Sequence, residues 1–308
     1  MIGALIIDKP EGLTSHDVVA RVRRAAQTRR VGHAGTLDPF ATGVLVVCLA
    51  RATRLLQFLV GFDKEYLATV RLGFATDTQD YTGKQITPLQ SSELLSGEEV
   101  ATILKAFVGA QWQTPPMFSA KKVAGERLYV AARAGREVER QPVAITISEL
   151  ELLRLGEMSA EGTRDFLIRV RCSSGTYVRT LAHDIGNRLG TGAHLSALRR
   201  TAVGHFRIED ALTLAEVERR GGDGSLGEAM ISPAAMLSHL PMLQIGDADL
   251  RLVLNGRELA LGMGADSVGA MVPPVTRICD RAGDLVAVGQ VDSGRRLIKP
   301  RVVLITTD

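Results

Sequence analysis

The chain has 308 residues, 45% of them hydrophobic and 23% charged, with a net charge of +3. That balance describes an ordinary globular protein, long enough for one large domain and a smaller one. No apolar run reaches the roughly 18–20 residues of a membrane span, and "MIGALIIDKPEGLTS" has no basic segment before its short apolar run, so no secretion signal is expected. Cys48, Cys172 and Cys279 lie far apart with no C-x-x-C pair, which argues against disulfides and structural zinc and fits a reducing cytoplasm.

In chain order, "GALIID" (3–8) reads as a strand, and "SHDVVARVRRAA" (15–26) as a helix with Ser15 as N-cap and Asp17 in its first turn. "GVLVVCL" (43–49) reads as a buried strand, "RATRLLQFLV" (51–60) as a helix and "EYLATVRLGF" (65–74) as an alternating strand. "ATDTQDYTGK" (75–84) is a polar loop. "GEEVATILKAFV" (97–108) is helical, and "VAGERLYVAARAG" (123–135) turns into a helix ended by Gly135. "AITISELELLRL" (144–155) and "RDFLIRVRCS" (164–173) are strands, and "TYVRTLAHDIGNRLG" (176–190) is a helix ended by Gly190. Adjacent strands with few crossover-length helices predict an α+β class, a mixed and mainly antiparallel sheet flanked by helices.

Near residue 220 the character shifts. "RRGGDGSLGEA" (219–229) reads as a flexible connector and "ISPAAMLSHLP" (231–241) as a short helix stopped by Pro241. Beyond it, "PMLQIG", "RLVLNGREL", "TRICDRAGDLVAVGQVD" and "RRLIKPRVVLI" read as short strands separated by N-G, D-R-A-G and D-S-G turns. The expected division is a larger domain over 1–241 and a small β-rich domain over 242–308.

Charge is unevenly spread. "RVRRAAQTRR" (21–30), "AKKVAGERLYVAARAGREVER" (120–140), "LRRTAVGHFR" (198–207) and "GRRLIKPR" (294–301) are basic runs in a near-neutral chain. Together they point to a polyanionic partner, since phosphate contacts supply most nucleic-acid affinity. There is no Walker-type loop, no strand–GxGxxG–helix unit and no G-x-S-x-G elbow. The six histidines show no metal-binding spacing, and "TDTQDYTG" resembles a cation loop only loosely. The chemistry expected is free of cofactor and metal.

Six ordered elements carry a family resemblance: "DKPEGLTS" (8–15), "RVGHAGTLDPFATGVL" (30–45), "KEYLATVRLGFATDTQD" (64–80), "QTPPMFSAKKVAGERLYVAARAG" (113–135), "CSSGTYVRTLAHDIG" (172–186) and "LSALRRTAVGHF" (195–206). Together they resemble the TruB-type tRNA pseudouridine synthases over nearly all of residues 1–210. The resemblance implies isomerisation of a uridine in the T-loop of tRNA, position 55, after the nucleotide is flipped out. Such an isomerisation needs no cofactor.

By this resemblance Asp38 of "TLDP" is the catalytic carboxylate. It would act as a nucleophile on C6 of the base or C1′ of the ribose, or abstract a proton to give a glycal-like intermediate. Pro39 holds Asp38 extended, and Gly32 and Gly35 would let the loop approach RNA closely. Arg179 in "GTYVRTL" matches the arginine that pairs with the aspartate, orients it and lowers its pKa. Tyr66 matches the aromatic that stacks on the flipped base and handles its proton. His33 matches the histidine that enters the T-loop, while Tyr177 and Leu198 match base-pocket residues. Lys9 and Pro10 read as structural or phosphate-facing.

The C-terminal segment is similar to a PUA-type RNA-binding domain, which would contact the acceptor arm. Three functions stay open: a stand-alone synthase, a catalytically silent RNA-binding protein, and a synthase working in guide-RNA particles. Asp38, Tyr66 and Arg179 together favour an enzyme, and a short chain without a lysine-rich tail favours the stand-alone form. A cytoplasmic monomer that needs tRNA but no protein partner or membrane is expected.

Overall fold

The computed structural model describes residues 1–119, 121–123, 125–260 and 274–304. The sequence segment "GMGADSVGAMVPPV" (262–275), which fits no PUA pattern, falls almost wholly outside them.

β1 (Gly3–Lys9) is buried along nearly its whole length. It leads into α1 (Ser15–Ala25), whose N-cap is Thr14 rather than Ser15. Thr14 Oγ1 accepts from Asp17 N at 3.1 Å and Asp17 Oδ2 accepts from Thr14 N at 2.8 Å, a reciprocal cap. Ser15 is left free for a different task in the site. β2 (Val31–Ala34) and β3 (Thr42–Leu49) flank the loop that carries Asp38. Residues 50–58 wind as a 3₁₀ helix where a helix was expected for 51–60. The chain enters it directly from β3 through Ala50 in left-handed backbone (φ 52°). Such tight turns are held by i→i+3 bonds.

β4 (Lys64–Leu72) alternates as its sequence predicts, burying Tyr66, Ala68, Val70 and Leu72 on one face. α2 (Gly97–Lys105), capped by Ser96 and Glu99, precedes β5 (Gly109–Gln113). A two-residue ribbon, β6 (Lys122–Val123) with β7 (Glu126–Arg127), opens α3 (Leu128–Arg133), and Gly135 follows at φ 68°. Long antiparallel partners β8 (Val143–Met158) and β9 (Arg164–Cys172) lead to α4 (Val178–Leu189). Gly190 ends that helix in left-handed conformation, as predicted. β10 (Ala193–Val203) and β11 (Phe206–Arg207) complete the first sheet.

That sheet runs β1-β3-β10-β4-β9-β8-β5, with β2 on β3 and β11 on β10. Every pairing is antiparallel except β3 with β10. The α+β, mainly antiparallel class is thus what the chain adopts. β3 takes β1 along one side. On the other, β2 covers its later half (Val31↔Leu49 to Ala34↔Val46), while β10 meets only its first residues (Arg199↔Thr42, Arg200↔Gly43). The Asp38 loop therefore passes over the start of the β3–β10 seam. α2 and α4 pack on the β4–β9–β8 face, in a core with Val70, Phe166, Ile168, Leu181 and Ile185.

Residues 219–229 are not a flexible connector. They hold the end of α5 (Leu214–Asp223), capped by Thr213, and a 3₁₀ turn. A Cβ on Gly221 would lie 2.7 Å from Ala25 O, so the glycine marks the close approach of α5 to α1. α6 (Pro233–Met236) follows, with Ser232 as cap.

The second sheet comprises β12 (Met242–Gln244), β13 (Leu259–Ala260), β14 (Val275–Cys279), β15 (Leu285–Asp292) and β16 (Leu297–Val303), ordered β12-β14-β15-β16-β13. "RLVLNGREL" begins as helix here, not strand: α7 spans Asp247–Leu254, and only Leu259 of the string joins a strand. Acidic Asp247 and Asp249 favour its N-terminus. The N-G pair closes its end, with Gly256 at φ 70° and Arg257 N bonded to Leu252 O. The two sheets touch, since Cys279, Leu285 and Val302 share a core with Ile6, Val44 and Leu55. Arg51 and Arg54 donate to Leu304 O and Val303 O at 3.2 and 2.6 Å. No helix among the described residues is long and apolar enough to cross a membrane.

Candidate active site

Three tethers fix the Asp38 loop. Ser15 Oγ accepts from Leu37 N at 2.9 Å and donates to Leu37 O at 3.2 Å. Lys9 Nζ, fully buried, donates to Pro10 O, Leu13 O and Pro39 O at 2.8, 2.7 and 3.2 Å. Lys9 is thus structural, and burial holds its ammonium down to about 8. Arg200, 1% exposed, donates to Val44 O at 2.7 Å, Gly35 O at 3.0 Å and Thr36 O at 3.4 Å. Its neighbour Arg199 pairs with Asp8 at 2.8 Å. Arg200 is therefore scaffold, while Arg199 stays partly exposed beside Asp8.

Two glycines sit at close contacts. A Cβ on Gly32 would meet Leu56 Cδ1, the tip of a flexible side chain on the 3₁₀ helix, at 2.9 Å. Gly43, at φ 101°, would set a Cβ 2.2 Å from Arg200 O, so the β3–β10 seam demands glycine there.

The opposite wall is the start of α4. Tyr177 is its N-cap residue, and no side chain caps that end. Buried Gln113 clamps it: Gln113 Nε2 donates to Tyr177 O at 3.0 Å and Tyr177 N donates to Gln113 Oε1 at 2.8 Å. This places Arg179 in the first turn, 4% exposed, with every donor committed. Its Nε and Nη2 reach Asp38 Oδ2 and Oδ1 at 2.9 and 3.3 Å. Nη2 also donates to Phe118 O at 2.7 Å, and Nη1 to Thr78 O at 3.0 Å and Asp80 Oδ2 at 3.5 Å. Asp80, itself buried, accepts from the Thr78 and Thr82 hydroxyls at 2.8 and 2.6 Å. One guanidinium thus bridges two carboxylates.

Between the walls lies a cavity of about 460 Å³, lined by Asp38, Tyr66, Tyr177, Arg179 and Leu198, with Lys64, Ser119, Thr176 and Arg200 beside them. Five of the six residues singled out in the sequence meet here. The sixth, His33, lies on β2 outside the lining, its ring 5.6 Å edge-on from His16 and its buried Nδ1 without a partner. Sequence reading missed Lys64, Arg200, Ser119, Gln113 and Asp80. Asp80 stood in plain sight within "TDTQD", a string noted in the sequence as a polar loop and the end of a family element.

The electrostatics are those of a crowded site. The Asp38 side chain keeps 36% of its surface open to the cavity. Even so, burial pushes its carboxyl above the ordinary range, Arg179 pulls it back and Asp80 pushes it further. The arginine acts in the expected direction, but desolvation outweighs it. Burial also raises the Tyr66 and Tyr177 phenols, keeping both rings neutral, and lowers His33. Among the described residues no group of three His, Cys, Asp or Glu is placed to hold a metal ion.

A sequence model of the TruB family pseudouridylate synthase N-terminal domain matches residues 23–178, and one of the tRNA pseudouridylate synthase B C-terminal domain matches 179–237. A tRNA pseudouridine synthase B of Geobacillus thermodenitrificans is 48% identical over 85% of this chain and 86% of its own length. A protein of the same name from Solibacter usitatus is 42% identical over 94% and 96%. Among solved structures, a chain of an H/ACA ribonucleoprotein bound to a substrate RNA containing 2'-deoxyuridine superposes with a TM-score of 0.74. It is 27% identical and covers 99% of this chain and 86% of its own. Fold and matches alike define an enzyme of the pseudouridine synthase class. Within it, the chain belongs to the TruB family of pseudouridylate synthases.

Proposed function

We propose that the protein isomerises a uridine in the T-loop of tRNA, at position 55, acting alone on RNA without a guide. The observation that carries this reading is the Asp38–Arg179 pair at the mouth of a cavity floored by Tyr66 and Leu198. Attack on C6, attack on C1′ and proton removal from the ribose all require an ionised carboxylate at the glycosidic bond. Asp38 supplies it, oriented by the fork of Arg179.

Tyr66 stacks its neutral ring on the extruded uracil, and its protonated phenol is a donor to the base. Leu198 and Tyr177 line the same slot. His33, with an unpartnered nitrogen, enters the T-loop and holds the flipped arrangement. Relatives named tRNA pseudouridine synthase B at 42–48% identity support tRNA as substrate. The same reading assigns residues 1–241 to catalysis and 242–308 to a PUA-like RNA-binding domain. Its separate five-stranded sheet and own core of Ile245, Val253, Ile278 and Val286 support this. Arg295, Lys299 and Arg301, around one groove of that sheet, would meet the acceptor arm.

The test is incubation of wild type and Asp38→Asn with a T-arm RNA hairpin, followed by pseudouridine mapping. Product at the T-loop uridine with wild type alone, and RNA binding by both, is expected. Binding without product by wild type would make the chain a silent RNA-binding protein. Product only with an added guide would make it a particle-bound enzyme.

A further inference from the structure

Three cations line the cavity, and they differ in what neutralises them. Arg179 faces two carboxylates. Arg200 and Lys64, by contrast, meet only uncharged partners: Arg200 reaches carbonyl oxygens and the Tyr66 phenol, and Lys64 Nζ donates to Phe62 O at 2.6 Å and Val60 O at 3.2 Å. Among the described residues neither has an acidic partner within 4 Å. One wall of the cavity thus carries two positive charges without a counter-ion, and the Lys64 ammonium keeps one of its three donors unused.

Register says what lies beside it. Lys64 and Tyr66 are two residues apart on one face of β4, and both line the cavity. On the neighbouring strand Lys64 is opposite Cys172, and the chain turns directly from there through Ser174, Gly175 and Thr176 along the same wall.

We propose that Lys64 anchors a backbone phosphate flanking the flipped nucleotide. The inference rests on the cavity taking a nucleotide of RNA, as proposed above. A phosphate supplies both the missing counter-charge and an acceptor for the ammonium's unused donor. Lys64 would then be a substrate-positioning residue, acting apart from the Asp38 chemistry.

A signature follows. Burial, with the Arg200 charge behind it, holds the free Lys64 ammonium down to about 8; Cys172 on β9 and Asp63 beside it oppose this weakly. Glu65 points to the other face of the sheet, bonded to Arg171 and Thr201. A bound phosphate raises that value, so RNA affinity is full below about pH 8 and weakens as pH rises through it.

The experiment measures equilibrium binding and single-turnover rates on a T-arm hairpin against pH and salt, for wild type, Lys64→Met and Lys64→Arg. Lys64→Met should weaken binding roughly tenfold to a hundredfold and flatten the log–log salt dependence by about one phosphate contact. Lys64→Arg, which does not titrate in this range, should restore affinity and abolish its alkaline decline. A hairpin with a neutral methylphosphonate at the contacted linkage should bind wild type and Lys64→Met alike. Unchanged affinity and salt slope in a folded Lys64→Met overturns the proposal, as does an alkaline decline that survives in Lys64→Arg. If wild type makes no pseudouridine, the broader reading fails instead.

Discussion

Replacing Arg179 by lysine keeps the charge and removes the fork. The guanidinium makes five contacts within 3.5 Å, two to Asp38 and one each to Asp80, Thr78 O and Phe118 O. An ammonium has three donors, so at least two buried acceptors lose their partner. Each such loss costs about 1–3 kcal/mol. Part is recovered at Asp38, whose carboxylate is partly open to water, leaving about 2–4 kcal/mol, or roughly 5–10 °C in Tm. Loss of bidentate orientation should slow the chemical step at least about 100-fold, the cost of roughly ångström-scale misplacement. RNA affinity should change less than about threefold, because Arg179 is 4% exposed and has no donor to spare. Asp38 must be ionised to act, and its carboxyl already lies above the ordinary range. Weakening its main opposing cation should move the acid limb of the rate to higher pH, activity falling as pH falls through that limb. The assay is single-turnover pseudouridine formation at saturating enzyme, with a thermal melt and a binding isotherm. A lysine variant that turns over at the wild-type rate, or one that loses affinity in proportion to rate, refutes the positioning role.

Asp38→Asn should abolish turnover yet melt no lower than wild type at pH 7. The raised carboxyl means that ionised Asp38 costs folding free energy at neutral pH, a cost that vanishes as pH falls and the native group takes up its proton; a clear drop in Tm at pH 7 would contradict this. Gly43→Ala should destabilise by more than about 2 kcal/mol in a denaturant melt, because strained backbone and a 2.2 Å clash coincide at the seam; a wild-type melt would show that the seam gives way. Burial pushes the Cys48 thiol up to about 12 and Cys172 up to about 11, and raises Cys279. A thiol reagent at pH 8 should leave the native protein unmodified and label all three cysteines once it is denatured; a fast-reacting native thiol would exclude this packing.

Elements with one dominant periodicity were legible from residue order. β4 alternates cleanly, α4 ends at Gly190, and α1 and α2 carry their own caps. Glycine pairs misled twice. Gly221 and Gly222 suggested a linker, but the first is demanded by helix contact with Ala25, and Asn255–Gly256 closes a helix rather than a hairpin. The first outcome depends on a neighbour distant in the chain, which local pattern does not encode; the second is a local helix cap whose sequence is also that of a hairpin turn. In the site, Asp38, Tyr66, Tyr177, Arg179 and Leu198 were found through quoted motifs, whereas their support was not. A buried arginine bonded to carbonyls (Arg200) looks in sequence like any surface arginine. Gln113 gives no sign that its amide will grip the start of α4.

β3 and β4 follow each other closely along the chain, yet in the sheet they are held apart by β10, which begins only at Ala193. A ribosome-bound chain must therefore keep two adjacent strands from zipping together and leave a vacant lane until the late strand is translated. Non-local pairing of this kind slows folding and leaves unpaired edges open to other chains meanwhile. Because Leu198 and Arg200 ride on β10, a chain cut short before that strand is made lacks one wall of the Asp38 cavity, which is therefore completed only late in synthesis.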